Sequence, residues 1–184
     1  MPVIHTGNNH RSAYTGDVDA DVTLVLDFLN TVDVEEDTDV LRSTADWHVW
    51  AHERTLRPDP LDEAARARHA LRIATGAPEA ATPEGADVRV PVDIALNAAW
   101  DASPQLVADT AVAAVYAAAV RLAFRGVWNR VKICPADDCL WAFYDESRNR
   151  SRSWCSMSVC GNRMKARTFR KRVAGDGDSA STHG

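Results

Sequence analysis

Four cysteines constrain this chain more than anything else in it. Cys134 and Cys139 enclose four residues, fifteen follow, and Cys155 and Cys160 again enclose four; no other cysteine occurs in the 184 residues. Two short pairs joined by such a loop suit a tetrahedral thiolate site, each pair supplying one edge of the tetrahedron. Four soft thiolates select zinc or an iron centre, with zinc the default, and they close the coordination sphere. A closed sphere has no position for a reacting water, so the expected metal is structural, one Zn2+ per chain. Two disulfides are the alternative. Met1 to His10 lacks a charged stretch followed by an apolar run, so a cytoplasmic, reducing setting is expected, where paired cysteines more often bind metal or do redox chemistry. Redox work usually uses C-x-x-C, which is absent here.

The charge of the chain is divided. The net charge is −5, but Arg121 to Arg172 holds 13 basic and 4 acidic residues, a balance of +9, while the rest holds 8 basic and 22 acidic, a balance of −14. Such asymmetry points to a nucleic acid or another anionic partner for the basic part. Hydrophobic residues at 46% and charged residues at 26% are ordinary for a globular protein. The most apolar run, Ala111 to Phe124, contains Arg121 and is too short to span a bilayer, so no membrane partner is expected.

The segment around the cysteines reads CPADDC, then LWAFYDESRNRSRSWCSMSVCGNRMKARTFRKR. It resembles the CGNR zinc finger, whose name is the run Cys160, Gly161, Asn162 and Arg163, and the likeness extends through Phe143, Asp145, Ser147, Arg148, Arg152 and Trp154. The resemblance implies a bacterial transcription regulator, of a kind often described as stress-induced, whose finger binds nucleic acid. LDFLNT, Leu26 to Thr31, resembles the start of the ABATE domain that precedes the finger in that family.

The expected fold is mainly α with a small β component: a helical N-terminal domain, then a zinc-ribbon-like finger of knuckle, short hairpin and basic helix. The divisions read as an arm at 1–20, an ABATE-like domain at 21–126, the finger at 127–174 and a tail at 175–184. Val22, Val25, Leu26, Leu29 and Val32 recur at helical spacing behind Asp21 as N-cap, although strand alternation (Leu24, Leu26, Phe28) fits too. Val34 to Asp39 reads as an acidic linker. Ser43 caps a helix carrying Trp47, Trp50, Ala51 and Leu56, with Asp46 completing a short capping box. His48 and His52 share a face of it, more simply solvated than metal-binding. Asp59-Pro60 starts a further helix closing on Gly76, with Leu61, Ala64, Ala65, Leu71 and Ile73 inward and Arg66, Arg68 and Arg72 solvated. Ala77 to Asp87 is a loop, and Val88 to Leu96 an edge strand broken by Pro91. Ser103-Pro104 caps a long helix, Gln105 to Arg125, burying Leu106, Ala113, Ala117, Val120 and Phe124.

Within the finger, Pro135 stiffens the knuckle, and Leu140 to Tyr144 pairs with Arg150 to Trp154. Trp141, Phe143 and Trp154 form a miniature core that needs the metal. Asp145 and Glu146 are available to the arginines of the bend. Gly161 lets the backbone approach a metal thiolate, and Asn162 holds the turn. Arg163 is divided between supporting the finger and facing a phosphate. Arg163, Arg167, Arg170 and Lys171 fall within an arc of about 100°, separate from an apolar arc of Ala166, Phe169 and Val173. Nine basic and no acidic residues occur from Ser147 through Gly175, so little internal neutralisation is expected. Arg148, Arg150 and Arg152 on the bend, with Arg163, Lys165, Arg167, Arg170, Lys171 and Arg172, are the expected nucleic-acid contacts, DNA first and RNA as alternative.

No nucleophile elbow, H-E-x-x-H, phosphate-cradling glycine loop or spare cysteine occurs, so no enzyme is expected. Asp27 and Asn30, polar within an apolar run, are read as satisfied by internal hydrogen bonds. The N-terminal domain is the expected sensing or dimerising part, open to a homodimer or a small-molecule effector. Val22 to Leu29 and Trp47 to Trp50 are its expected pocket or interface residues. A protein-docking finger is the remaining alternative.

Overall fold

The computed structural model describes residues 18–78, 92–97 and 105–178. Among them the chain is mainly α, with five helices and three two-stranded antiparallel pairs. No helix is long and apolar enough to cross a membrane.

Helix α1 (Val18–Leu29) resolves the ambiguity of the first apolar segment, burying Val22, Val25, Phe28 and Leu29 at helical spacing. It starts before the expected N-cap; residues 1–17 of the expected arm lie outside the described residues. Asp21 is instead buried in the first turn, where Arg121 of α4 (Ala111–Phe124) donates from Nε and Nη2 to its carboxylate. The two polar residues singled out in the first apolar run are satisfied internally, Asp27 by Arg54 at 2.8 Å and Asn30, just past α1, by the backbone of Ala142.

The expected acidic linker is a small hairpin, β1 (Val32–Asp33) with β2 (Thr38–Asp39). Asp33 accepts from the amides of Glu35 and Glu36 and so forms its turn. Ser43 then caps α2 (Thr44–Glu53) through Asp46 N. Trp47 and Trp50 are core residues: their rings stack at 5.1 Å with Phe28 tilted against both. His48 and His52 are exposed, as an ordinary solvated face requires.

Helix α3 (Leu61–Ala74) follows Pro60 and ends at Gly76, whose φ of 102° suits a glycine past a helix terminus. Asp59 does not cap it; the carboxylate takes the amide of Val112 at the start of α4. Its arginines correct the reading of a solvated face. Arg66 alone behaves that way, pairing with Asp62 on the surface. Arg68 makes a two-pronged pair with Asp39, and Arg72 is buried, donating to the carbonyls of Leu29 and Leu140. Periodicity identified three cations on one helix; partners far along the chain decide which of them go inside.

The long helix expected from Gln105 begins later. Gln105–Val107 is strand β4, paired with β3 (Ala95–Asn97), and Thr110 caps α4. Residues 79–91 and 98–104, including Pro91, Ser103 and Pro104, lie outside the described residues. Ala113 and Ala117 are buried as expected, whereas Phe124 is exposed in the last turn. Helices α1 and α4 pack along each other with α2 and α3 beside them, giving one apolar core.

Candidate metal centre

Two strands lead into and out of the first cysteine pair. Strand β5 (Val131–Ile133) pairs antiparallel with β6 (Ala142–Tyr144), Val131 opposite Tyr144 and Ile133 opposite Ala142. The expected partner of β6, Arg150 to Trp154, forms no strand; its bend is held by other means. The physical reason is the knuckle. Cys134 N donates to Trp141 O at 2.8 Å and Cys139 N to Ala136 O at 2.9 Å, so the segment between the cysteines is itself the hairpin turn.

Strand alternation then divides the hairpin between two cores. Val131, Ile133 and Ala142 enter the helical core, with Leu140 and Tyr144 packed against it, while Phe143 joins Cys134, Ala136, Cys139 and Cys160. The two clusters are distinct, and the hairpin contributes side chains to both. Three further ties fasten it: Asn30 bonds both backbone groups of Ala142 at 2.7 and 2.9 Å, Ile133 N donates to Thr75 O, and Arg72 reaches Leu140 O.

The four Sγ atoms lie within 4.8 Å of one another, with Cys139–Cys155 at 3.6 Å and Cys155–Cys160 at 3.5 Å. A tetrahedron of about 2.3 Å zinc–sulfur bonds has edges of about 3.8 Å, so the cluster has the right size, and its thiols are unbridged. The ionisation pattern agrees. Burial opposes ionisation of Cys134, but the amides of Cys155 and Ala136, together with the Cys155 and Cys160 thiols, outweigh it and lower that thiol. Burial and the neighbouring sulfurs push Cys155 up, and burial first of all raises Cys160 to about 11. Thiols packed this closely ionise together only around a cation. The set fits one structural zinc.

The bend after β6 is organised by Asp145, which is fully buried. Its carboxylate accepts from Lys132 Nζ at 2.6 Å and from the amides of Ser147 and Arg152 at 2.9 and 3.0 Å. Burial alone would raise this carboxyl, yet Lys132 and those donors hold it well below the usual carboxylate range. Sequence reasoning offered Asp145 to the arginine side chains; the structure gives it to a lysine on β5. Lys132 and Arg130 are positions that reasoning missed: Lys132 also binds the carbonyls of Arg150 and Arg152, and Arg130 those of Asp145 and Ser147. The signal was present in the alternation Val131-Lys132-Ile133.

The expected nucleic-acid contacts separate into two groups. Arg150 donates to Asn129, and Arg152 lies over the Phe143 ring and donates to the carbonyls of Trp154 and Cys155. In α5 (Asn162–Asp178), Arg163 pairs with Asp138 at 2.9 Å and Glu35 at 3.0 Å, and Arg167 with Asp138 and Asp137. Glu35 first, then Asp138, raises the Arg163 guanidinium, and Arg163 chiefly lowers Asp138. Internal neutralisation is therefore substantial, with acids supplied from outside the Ser147–Gly175 stretch. Arg148, Lys165, Arg170 and Arg172 are exposed, with no ion pair among the described residues. The side chain of Lys171 lies outside the described residues, as does that of Val173.

The rest of the finger departs further from its expected miniature core. Trp154 packs partly against the thiols, but Trp141 is exposed, as are Ala166 and Phe169 of the arc expected to be buried. Asn162 Nδ2 donates to Ser158 O across the turn Met157–Gly161. At Gly161 an added Cβ would sit 2.5 Å from Met157 Sδ and 3.4 Å from Trp154, so the close approach is to these side chains. Helix α5 continues to Asp178, past the expected start of the tail; residues 179–184 lie outside the described residues.

The family model of the CGNR zinc finger matches residues 130–173. No curated protein matches the chain. The region is a zinc-finger-type domain with four cysteines positioned for metal binding.

Proposed function

We propose that this protein binds nucleic acid through the finger, with DNA the leading target, and that it regulates transcription. The observation that carries the reading is the set of exposed cations without acidic partners among the described residues, Arg148, Lys165, Arg170 and Arg172, on a module whose other arginines are committed internally. Free guanidinium and ammonium groups on one module are suited to phosphate contact. The zinc builds the module and does no chemistry, so the reading is non-enzymatic. A four-thiolate site also suits a reducing cytoplasm.

The helical part, with its short ABATE likeness, is the sensing or dimerising element of this proposal. Between α1 and the hairpin lies a cleft of about 590 Å³ lined by Leu26, Asn30, Trp141 and Tyr144 among others. An effector bound there would touch both the helical part and the finger. A protein-docking role draws support from the exposed Met157 and Val159.

A salt titration tests the reading. Zinc-loaded protein should bind duplex DNA with a steep log–log salt dependence, about −0.9 per phosphate contact. Arg170→Gln/Arg172→Gln should flatten that slope by about 2 without releasing zinc. Absence of binding at low salt, together with capture of an acidic protein, would replace it with the docking role.

A further inference from the structure

We propose that a groove on the outer side of α5 holds an unpaired nucleotide, its base against the Phe169 ring and its phosphates on Lys165 and Arg172. The inference rests on the nucleic-acid reading above and names the form of the ligand. The groove measures about 550 Å³ and is lined by Trp154, Gly161, Met164 and Phe169, with Lys165 and Arg172 beside them. Its apolar wall is not core left over at an edge. Phe169 is 69% exposed, while Trp154 turns one side to the thiol cluster and lines the groove with another. Gly161 keeps the floor open, since a Cβ there would meet Met157 and Trp154.

Charge selects the occupant. Among the described residues no carboxylate lines this groove, whereas Asp27 and Glu146 line the cleft beside α1, and Asp59, Glu63, Asp93 and Asp109 line the one between α3 and α4. A ligand both flat and apolar on one side and anionic on the other matches an aromatic wall with a cationic rim. A second copy of α5 would oppose cation to cation. Duplex DNA would use the cations but leave the aromatic wall without a partner, because its bases are stacked on one another. Unpaired bases of either DNA or RNA stack on aromatic side chains while basic groups follow the backbone.

The test is fluorescence anisotropy with the zinc-loaded full chain on labelled single-stranded DNA, single-stranded RNA and duplex DNA of one sequence, alongside sedimentation with phosphatidylserine vesicles. Single strands should bind more tightly than duplex, and the tighter of the DNA and RNA strands identifies the source. Phe169→Ala should weaken single-strand binding by about 5- to 150-fold, leaving zinc content, duplex binding and salt slope unchanged. Lys165→Gln/Arg172→Gln should instead reduce the single-strand slope by about 0.7 for each phosphate no longer neutralised. Wild-type affinity of Phe169→Ala for single strands, with steep salt-dependent duplex binding retained, would overturn the groove and leave the nucleic-acid reading standing. No binding to any nucleic acid at low salt would overturn both. Binding to vesicles alone, abolished in Phe169→Ala, would assign the groove to an anionic membrane surface and overturn both as well.

Discussion

At the scale of the residue, Asp145 shows how a polar group organises this finger. It sits at zero exposure with a lysine and two backbone amides converging on its oxygens. Because those donors hold its carboxyl below the usual range, folding favours the ionised form. Its contribution is complete above the ordinary aspartate pKa of about 4 and is lost as pH falls through the lower folded value. Asp145→Asn should therefore destabilise the protein at neutral pH, and the gap from wild type should narrow as the solution is acidified below about pH 4. Urea midpoints of both proteins across that range check this, since protonation of the thiolates affects the two alike. A gap that stays constant into acid would mean that the carboxylate charge is not what the site uses. Arg72 makes the complementary point: a buried cation is tolerated where two carbonyls from different parts of the chain, Leu29 and Leu140, receive it.

At the scale of the element, the hairpin β5–β6 is the piece on which the rest depends. Asn30 at the end of α1 bonds Ala142 as a neighbouring strand would, through both its amide oxygen and nitrogen. Asn30→Ala leaves a donor and an acceptor of β6 without partners in a partly buried place, which should cost about 2 kcal/mol in chemical denaturation. Faster exchange of the Ala142 amide should accompany it; an unchanged midpoint would show that water replaces both bonds. The same element marks the limit of what the sequence reveals. Cysteine spacing is local, so the ligand set and its closed sphere were legible. Strand pairing was not, because Trp154 made Arg150 to Trp154 look apolar and β5 is only Val131–Ile133. The fates of Arg68 and Arg72 were hidden for the same reason: Asp39 and Leu140 lie 29 and 68 residues away. Phe169 kept its helical spacing but met no surface to bury it, since spacing marks a face and says nothing about what lies opposite.

At the scale of the whole molecule, the finger and the helical part share a hairpin, a buried arginine and an ion pair between Glu35 and Arg163. A metal that fixes the knuckle at one end of that hairpin should also steady the helices at the other. Metal binding and folding are then linked across the chain, and the zinc contributes to more than the finger that holds it. The measurement that tests this most directly is hydrogen exchange of the full chain, read by mass spectrometry, zinc-loaded and after chelation under reducing conditions. Removal of zinc should speed exchange in Val131–Tyr144 and, beyond it, at the end of α1 and the end of α3, where Asn30, Arg72 and Thr75 hold the hairpin. Protection that disappears between Cys134 and Cys160 while α1 and α3 exchange at their zinc-loaded rates would contradict the account and restore two independent modules.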